Sequence, residues 1–316
     1  MRQVRHLLLA AVLGSFCLLS LPALGETYSN VAAVLELGMG ARPMAMGGAF
    51  VGLADDGNSL LFNSAGLANL QSLSVLSSGE VRPDISVYGQ MAVALPHFGL
   101  SLHYFDFGNV PQTDNLGNVT GYFSYRTYTL IAGAGIRGAD LGLKNVPLLR
   151  DLGVGIKVKY LKVSTLDPGS GSGLAFDLAF LYGGPNTGLR IGFLTGLGLG
   201  FVLENVVGVP IRYGSGHVED WSRAVTVGLS ATLFNSWTFA ADFAAGKGVR
   251  VGLEWCPLSA IAVRAGLRSE GVVMWSLGIG VRYGMFTLDY AFVTHPYMAG
   301  QHRLSLELGL WANKAR

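Results

Sequence analysis

Charge is what this chain is short of. Only 13% of its 316 residues are Asp, Glu, Lys or Arg, about half of the roughly 25% found in ordinary globular domains. Cysteine is scarcer still, with Cys17 and Cys256 alone. Cys17 falls in a leader-like amino terminus, so Cys256 is left by itself and a disulfide framework or cysteine metal site is excluded. Long apolar runs are missing as well. A bundle of membrane-spanning helices needs about 18–20 consecutive apolar residues. The uncharged stretch from Ile85 to Phe105 is interrupted by Gln90, Pro96, His97 and Gly99, and that from Ala224 to Ala241 by Asn235-Ser236, a turn signal. Net charge is absent too: Arg2 and Arg5 leave with the leader, and 22 − 2 = 20 basic residues face 20 acidic ones. Such a balance argues against nucleic acid and anionic surfaces as partners.

What is present is half apolar and rich in glycine, with 45 of them. Residues 1–25 have the pattern of a secretory signal peptide: basic Arg2 and Arg5, an apolar core from Leu7 to Leu21, and the small-x-small site Ala23-Leu24-Gly25. From about residue 71 the pattern has period two. In 272–284, Val273, Trp275, Leu277, Ile279 and Val281 alternate with Met274, Ser276, Gly278, Gly280 and Arg282. Successive strand residues point to opposite faces, so one face is oily and the other small or polar. The same alternation predicts strands near 71–79, 85–95, 98–107, 122–136, 151–164, 172–183, 188–204, 221–233, 236–245, 248–256, 259–268, 271–283, 285–293 and 301–311. The tight breaks (Asn235-Ser236, Pro257-Leu258, Gly284) alternate with the long ones at 108–121, 165–171 and 205–220, as in an up-and-down barrel.

A soluble sandwich and a membrane barrel both bury an oily face, and the charges decide between them. Lys157, Lys159, Asp177, Asp242, Arg250, Glu254, Arg264, Arg282, Asp289 and Glu307 fall on the small, polar face. Each would cost roughly 2–4 kcal/mol in the lipid midplane, against a total stability of about 5–15 kcal/mol. The charges therefore point into a lumen and the oily face meets lipid. A sandwich would show the second face to water, where glycine and alanine have no use. Closure also removes the free edges that a bilayer cannot satisfy. The fold class is thus all-β, a transmembrane antiparallel β-barrel of about fourteen strands (71–316), with Trp221, Trp237, Trp255, Tyr283 and Trp311 placed for an aromatic girdle.

Residues 26–70 do not alternate and are too irregular to meet lipid, so they belong inside the cylinder as a plug. Their sequence, "LELGMGARPMAMGGAFVGLADDGNSLLFNSAGLANL" from 35 to 70, resembles the PorV/PorQ-like outer-membrane proteins, related to the FadL-type hydrophobic-compound transporters. The likeness rests on Gly38, Gly40, Ala41, Arg42, Met46–Phe50, Ala54-Asp55-Asp56, and Asn63 with Ala65-Gly66-Leu67. Ser64 stands where that family usually has proline, and Phe62 where tryptophan is common. The likeness continues at 151–162, 264–268, 288–292 and 302–306.

The resemblance implies a fourteen-stranded barrel with an N-terminal hatch at 26–70. Gly47, Gly48, Asp55, Asp56, Asn63 and Gly66 are its hatch residues. Asp55 and Asp56 suit turns or caps, being short carboxylates that accept backbone N–H groups. They supply too few oxygens for calcium. Gly66 is expected to let the plug lie against the wall, and a glycine-rich plug to move at low cost.

Beside a purely structural role, two stay open. One is passage of a hydrophobic small molecule, such as a long-chain fatty acid, entering past Phe105, Phe107, Tyr122, Phe123 and Tyr125. The other is a PorV-like part in a protein-secretion apparatus that holds exported cargo. Outer-membrane lipid and the barrel assembly machinery are the other expected partners, the latter through the terminal strand "HRLSLELGLW". No cofactor, resident metal or enzymatic activity is expected. The glycines at 38–48 lack the strand and acidic partner of a dinucleotide site. "GSGSG" at 169–173 is a loop tip. Ser101 and His103 share a strand face without an orienting carboxylate, and His295 and His302 are placed at turns.

Overall fold

The computed structural model describes Leu35 and residues 38–310 other than 82–85, 188–189 and 298. The leader and Trp311 lie outside these residues. Fourteen strands form one closed antiparallel barrel. In chain order they are β1 (Leu73–Val81), β2 (Ser86–Leu95), β3 (Phe98–Thr113), β4 (Val119–Arg137), β5 (Leu152–Ser164), β6 (Gly171–Gly183), β7 (Leu194–Tyr213), β8 (Ala224–Leu233), β9 (Trp237–Ala244), β10 (Gly248–Leu258), β11 (Ile261–Glu270), β12 (Val272–Tyr283), β13 (Phe286–Val293) and β14 (Gln301–Leu310). Each pairs with its sequence neighbours, and β14 returns to β1 from Leu73↔Leu310 to Val81↔His302. Two-residue strands at Arg190–Ile191 and Val218–Glu219 pair onto β7.

Alternation decides the faces. Along β5, Gly153, Gly155, Lys157, Lys159, Leu161 and Val163 are buried, while Val154, Ile156 and Tyr160 are exposed. Large apolar side chains that face outward sit at about half exposure, Leu277 at 51% and Leu229 at 52%. That surface needs lipid to cover it.

One end carries tight turns. At β8–β9, Phe234 and Asn235 both have positive φ, 52° and 56°, and Ser236 N–H donates to Leu233 O. This is the geometry whose twist suits a hairpin, and the ring of Phe234 stacks on Phe193, 5.9 Å between centroids.

Several expectations from sequence need correction. β3, β4 and β7 run well into the stretches expected to be loops at 108–121 and 205–220. The ladder continues through Val110↔Phe123 and Pro111↔Tyr122 after a bulge. No oily alternation marks these extensions, so period two could not report them. Phe107, Phe123 and Tyr125, inside the strands expected at 98–107 and 122–136, stand in this paired hairpin. The short end also has two longer connections, 184–193 and 138–151, the latter ending in a helical turn at Pro147–Arg150. Trp221 is not a girdle residue: it is 9% exposed, and its indole N–H donates to Val209 O. Trp237 and Trp255 do face outward, directly opposite each other and stacked at 5.2 Å.

Residues 38–70 contribute no strand. They form helical turns at Ala41–Ala45 and Ser59–Phe62 and a 3-10 helix at Ser64–Asn69, and nearly all of them are buried. Their partners are the inward side chains of strands all round the barrel, so they fill its interior. Asn69 donates to Gly183 O at the tight-turn end. Leu35 packs with Val163 and Ile211 towards the other.

Candidate functional site

The interior segment is held by backbone groups reaching polar side chains of the wall. Phe50 and Val51 N–H groups both donate to Asp242 Oδ2, at 2.8 and 2.9 Å. Gly47 N–H donates to Ser276 Oγ, which donates in turn to Ala45 O. Ser230 Oγ donates to Gly52 O, Ala41 N–H to Ser305 Oγ, and Arg303 to Gly38 O. Irregular backbone has no ladder of its own, so inward serines and charges take the place of strand partners.

Glycine here permits contact rather than looseness. A Cβ on Gly47 (φ 66°) would meet Leu267 O at 2.7 Å, and one on Gly52 would meet the Leu229 backbone at 2.6 Å. Beside Gly48 (φ 81°) lies Arg250. Gly66 lies nearest the segment's own Ala54 and Ser59, and its neighbours Ser64 and Ala65 meet the wall at Gly135 and Gly155.

Arg42 is the hub of the charged interior. Its guanidinium reaches Asp55 at 2.7 Å, Asp56 at 2.6 Å and Glu254 at 2.9 Å. Asp56 also accepts from Asn58 N–H and Nδ2, so it serves a cation and a turn together, while Asp55 holds the cation. Asp55 lies on the segment rather than on a strand. Burial pushes its carboxyl above the usual range, against the pull of Arg42. Asn63 accepts from Ala65 N–H, capping the 3-10 helix, and donates to Val51 O and Phe180 O.

On the wall, Arg264 joins Glu254 to Asp289, both at 2.6 Å. Glu307 accepts from Ser74. Lys157 and Lys159 share Asp177 at 3.0 and 2.8 Å, and Arg250 and Arg268 share Glu270. Arg282 differs from the other nine wall charges. It has the inward parity of β12 but is exposed at the strand's end, outside this network. Arg268, Glu270, Glu80 and Arg303 belong to the interior although sequence reasoning did not single them out, and Arg303 pairs with Glu80. Parity was the available signal for Arg303 and Glu80. For Arg42 the motif and the placing of its segment were the signal, but nothing in an aperiodic segment indicated its partners.

The β6–β7 pairing slips beside Asp177. Phe176 pairs with Val207 but Leu178 with Leu203, so residues 204–206 bulge from the ladder. Asn205 (φ 56°) then donates its N–H to Asp177 Oδ1 at 2.8 Å. At this bulge the lumen keeps a cavity of about 90 Å³. The segment contributes Met44, Val51, Leu61 and Phe62 to it, and the wall contributes Lys157, Lys159, Glu204, Arg250 and Arg268. Ligand pockets commonly measure about 300–1,000 Å³, so this cavity is small for a bound ligand in this conformation.

Ser101 Oγ lies 2.7 Å from His103 Nε2, closer than their strand spacing suggested. The hydroxyl donates to Met91 O, however, and His103 Nδ1 has no partner among the described residues. Nothing orients the imidazole as a base.

No family model matches the chain, and no curated protein matches its sequence. Solved structures do match its fold. The toluene transporter TbuX of Ralstonia pickettii aligns at TM-score 0.57 and 12% identity, over 86% of this chain and 98% of that one. The toluene transporter TodX of Pseudomonas putida aligns at 0.56 and 13%, over 86% and 97%. CymD, a monoaromatic hydrocarbon channel, aligns at 0.54 and 10%, over 86% and 97%. At these identities the likeness is one of fold.

Proposed function

We propose that this protein is an outer-membrane channel for hydrophobic small molecules, with residues 26–70 as its hatch and residues 1–25 as its export signal. The observation that carries the reading is the filled lumen. A cavity lined by apolar side chains of the segment and charged side chains of the wall remains, and the segment is attached by hydrogen bonds, ion pairs and apolar packing, with covalent continuity into β1 alone. Such a segment can shift while the barrel persists. TbuX and TodX are described as toluene transporters and CymD as a monoaromatic hydrocarbon channel, and a small ring is the size that the remaining cavity approaches.

In this reading a ligand enters at the end with long hairpins, past exposed Tyr122 and Phe107. It moves inward along Phe105 and Tyr125, and waits at the cavity. Passage then requires the segment to move away from Asp242, Ser276 and Glu254. Gly47, Gly48, Asp55, Asp56, Asn63 and Gly66 shape the segment that moves. β14 is the strand that the barrel assembly machinery would read.

The test is toluene flux into vesicles holding the intact protein or a variant lacking residues 26–70. The deletion should raise flux several-fold, and equal flux would overturn the hatch. The extent of filling also favours a second reading, a PorV-like role in which the barrel holds exported cargo without conducting. Native mass spectrometry of the purified barrel separates the two: a bound lipid or hydrocarbon supports passage, and a co-purified protein domain supports secretion.

A further inference from the structure

On the described strand residues, charged side chains that face outward occur in one place. β1, β2 and β8–β14 present no Asp, Glu, Lys or Arg to the lipid side. The outward charges are Asp106 on β3, Arg126 on β4, Lys162 on β5 and Arg212 on β7, all towards the end with long hairpins. Register puts them at one level. Tyr128 pairs with Lys162, Lys162 with Ser172, and Ser172 with Arg212, while Asp106 pairs with Arg126 one step further out.

Directly below runs an unbroken apolar row, Leu102↔Leu130↔Tyr160↔Leu174↔Val209. Asp106 is engaged, accepting from Tyr104 OH at 2.7 Å and Arg126 Nε at 3.0 Å. Lys162 and Arg212 are exposed, and neither pairs with a carboxylate among the described residues. The patch therefore carries three cations against one anion.

We infer that this patch is a binding site for a lipid whose headgroup carries two phosphates, its acyl chains lying on the apolar row beneath. Cations that merely anchored the barrel at the water boundary would be spread round the circumference, as interfacial residues generally are. These occupy a single sector. Lys162 and Arg212 stand two strands apart, about 10 Å at the usual strand spacing, which suits two phosphates better than one. Arg126, oriented by Asp106, adds a planar donor fork of the kind that matches phosphate oxygens. The apolar row favours a lipid over a free anion, because only a lipid uses both surfaces.

The experiment is native mass spectrometry of the detergent-solubilised full barrel mixed with diphosphoryl lipid A, its monophosphoryl form, or phosphatidylcholine. The wild-type barrel should retain diphosphoryl lipid A about ten-fold better than phosphatidylcholine, with the monophosphoryl lipid between them. K162Q/R212Q should remove that preference, and K162R/R212K should keep it. R282Q, a charge removed from an exposed strand end elsewhere, should leave it unchanged. Heat-modifiable migration checks folding, and the single variant K162Q stands in if the double variant fails to fold. Equal retention of all three lipids, or a preference untouched in the glutamine variants, overturns the site. So does complete displacement by millimolar inorganic phosphate, which would make it a site for free anion.

Discussion

At the scale of single residues, Arg42 and Asp242 decide whether the interior segment stays in place. Arg42 is 14% exposed at its side chain and neutralises carboxylates from both the segment and the wall. Removing one partner of a buried ion pair costs about 3–5 kcal/mol, because the remaining charges stay buried and unpaired. Arg42→Gln should therefore loosen the segment by about that amount, read as lost hydrogen-exchange protection at Gly47, Phe50 and Val51. The exposed Arg282→Gln should change stability by no more than about 0.5 kcal/mol. Asp242 acts differently, accepting two backbone N–H groups with one oxygen. Asp242→Ala leaves both amides without a partner, at about 1–3 kcal/mol each. Protection should then fall at Phe50 and Val51 more than at Gly47, whose acceptor is Ser276. Uniform loss across the segment would show that Asp242 is not a local clamp.

At the scale of elements, the strands were legible wherever one face meets lipid. β12 and β14 alternate without a break, and a shift of one residue would turn every charge outward. The alternation fails at two kinds of place. In the outer parts of β3, β4 and β7 both faces leave the apolar layer, so the ladder continues without a pattern. At residues 204–206 the chain bulges to bring Asn205 to Asp177, a tertiary demand that no local period can report. The interior segment was readable as non-strand, but its anchoring was not. Arg42 looks like any other arginine until the fold brings Glu254, 212 positions away, to its side. Register makes its own prediction. Leu277 faces outward on β12 at mid-strand, so Leu277→Arg should lower unfolding stability in a bilayer by about 2–4 kcal/mol. The same change at exposed Tyr283, at the strand's end, should cost about 0–1 kcal/mol. Equal costs at both positions would contradict lipid contact at Leu277.

At the scale of the molecule, the barrel and its filling are stabilised by separable sets of contacts. Lys157 and Lys159 with Asp177, Arg250 with Glu270, and Arg264 with Glu254 and Asp289 join one wall strand to another, and Arg268 joins Glu270 on its own strand. None of these pairs needs the interior segment. Removing Arg42 together with Asp55 and Asp56 leaves Glu254 paired with Arg264, and the wall's freed polar groups would face water rather than hydrocarbon, at little cost. A barrel without residues 26–70 should thus remain folded and heat-modifiable, with its lumen open. In planar bilayers it should show stepwise ion conductance absent from the intact protein, because mixed charges line a water-filled bore once the plug is gone. Arg42→Gln should fall between the two, flickering open as the loosened segment leaves and returns. An intact protein already as conductive as the deletion would mean that the segment does not close the bore. A deletion variant that cannot fold would mean that wall and filling form one cooperative unit, and a hatch that moves independently of its barrel could not then be the gate.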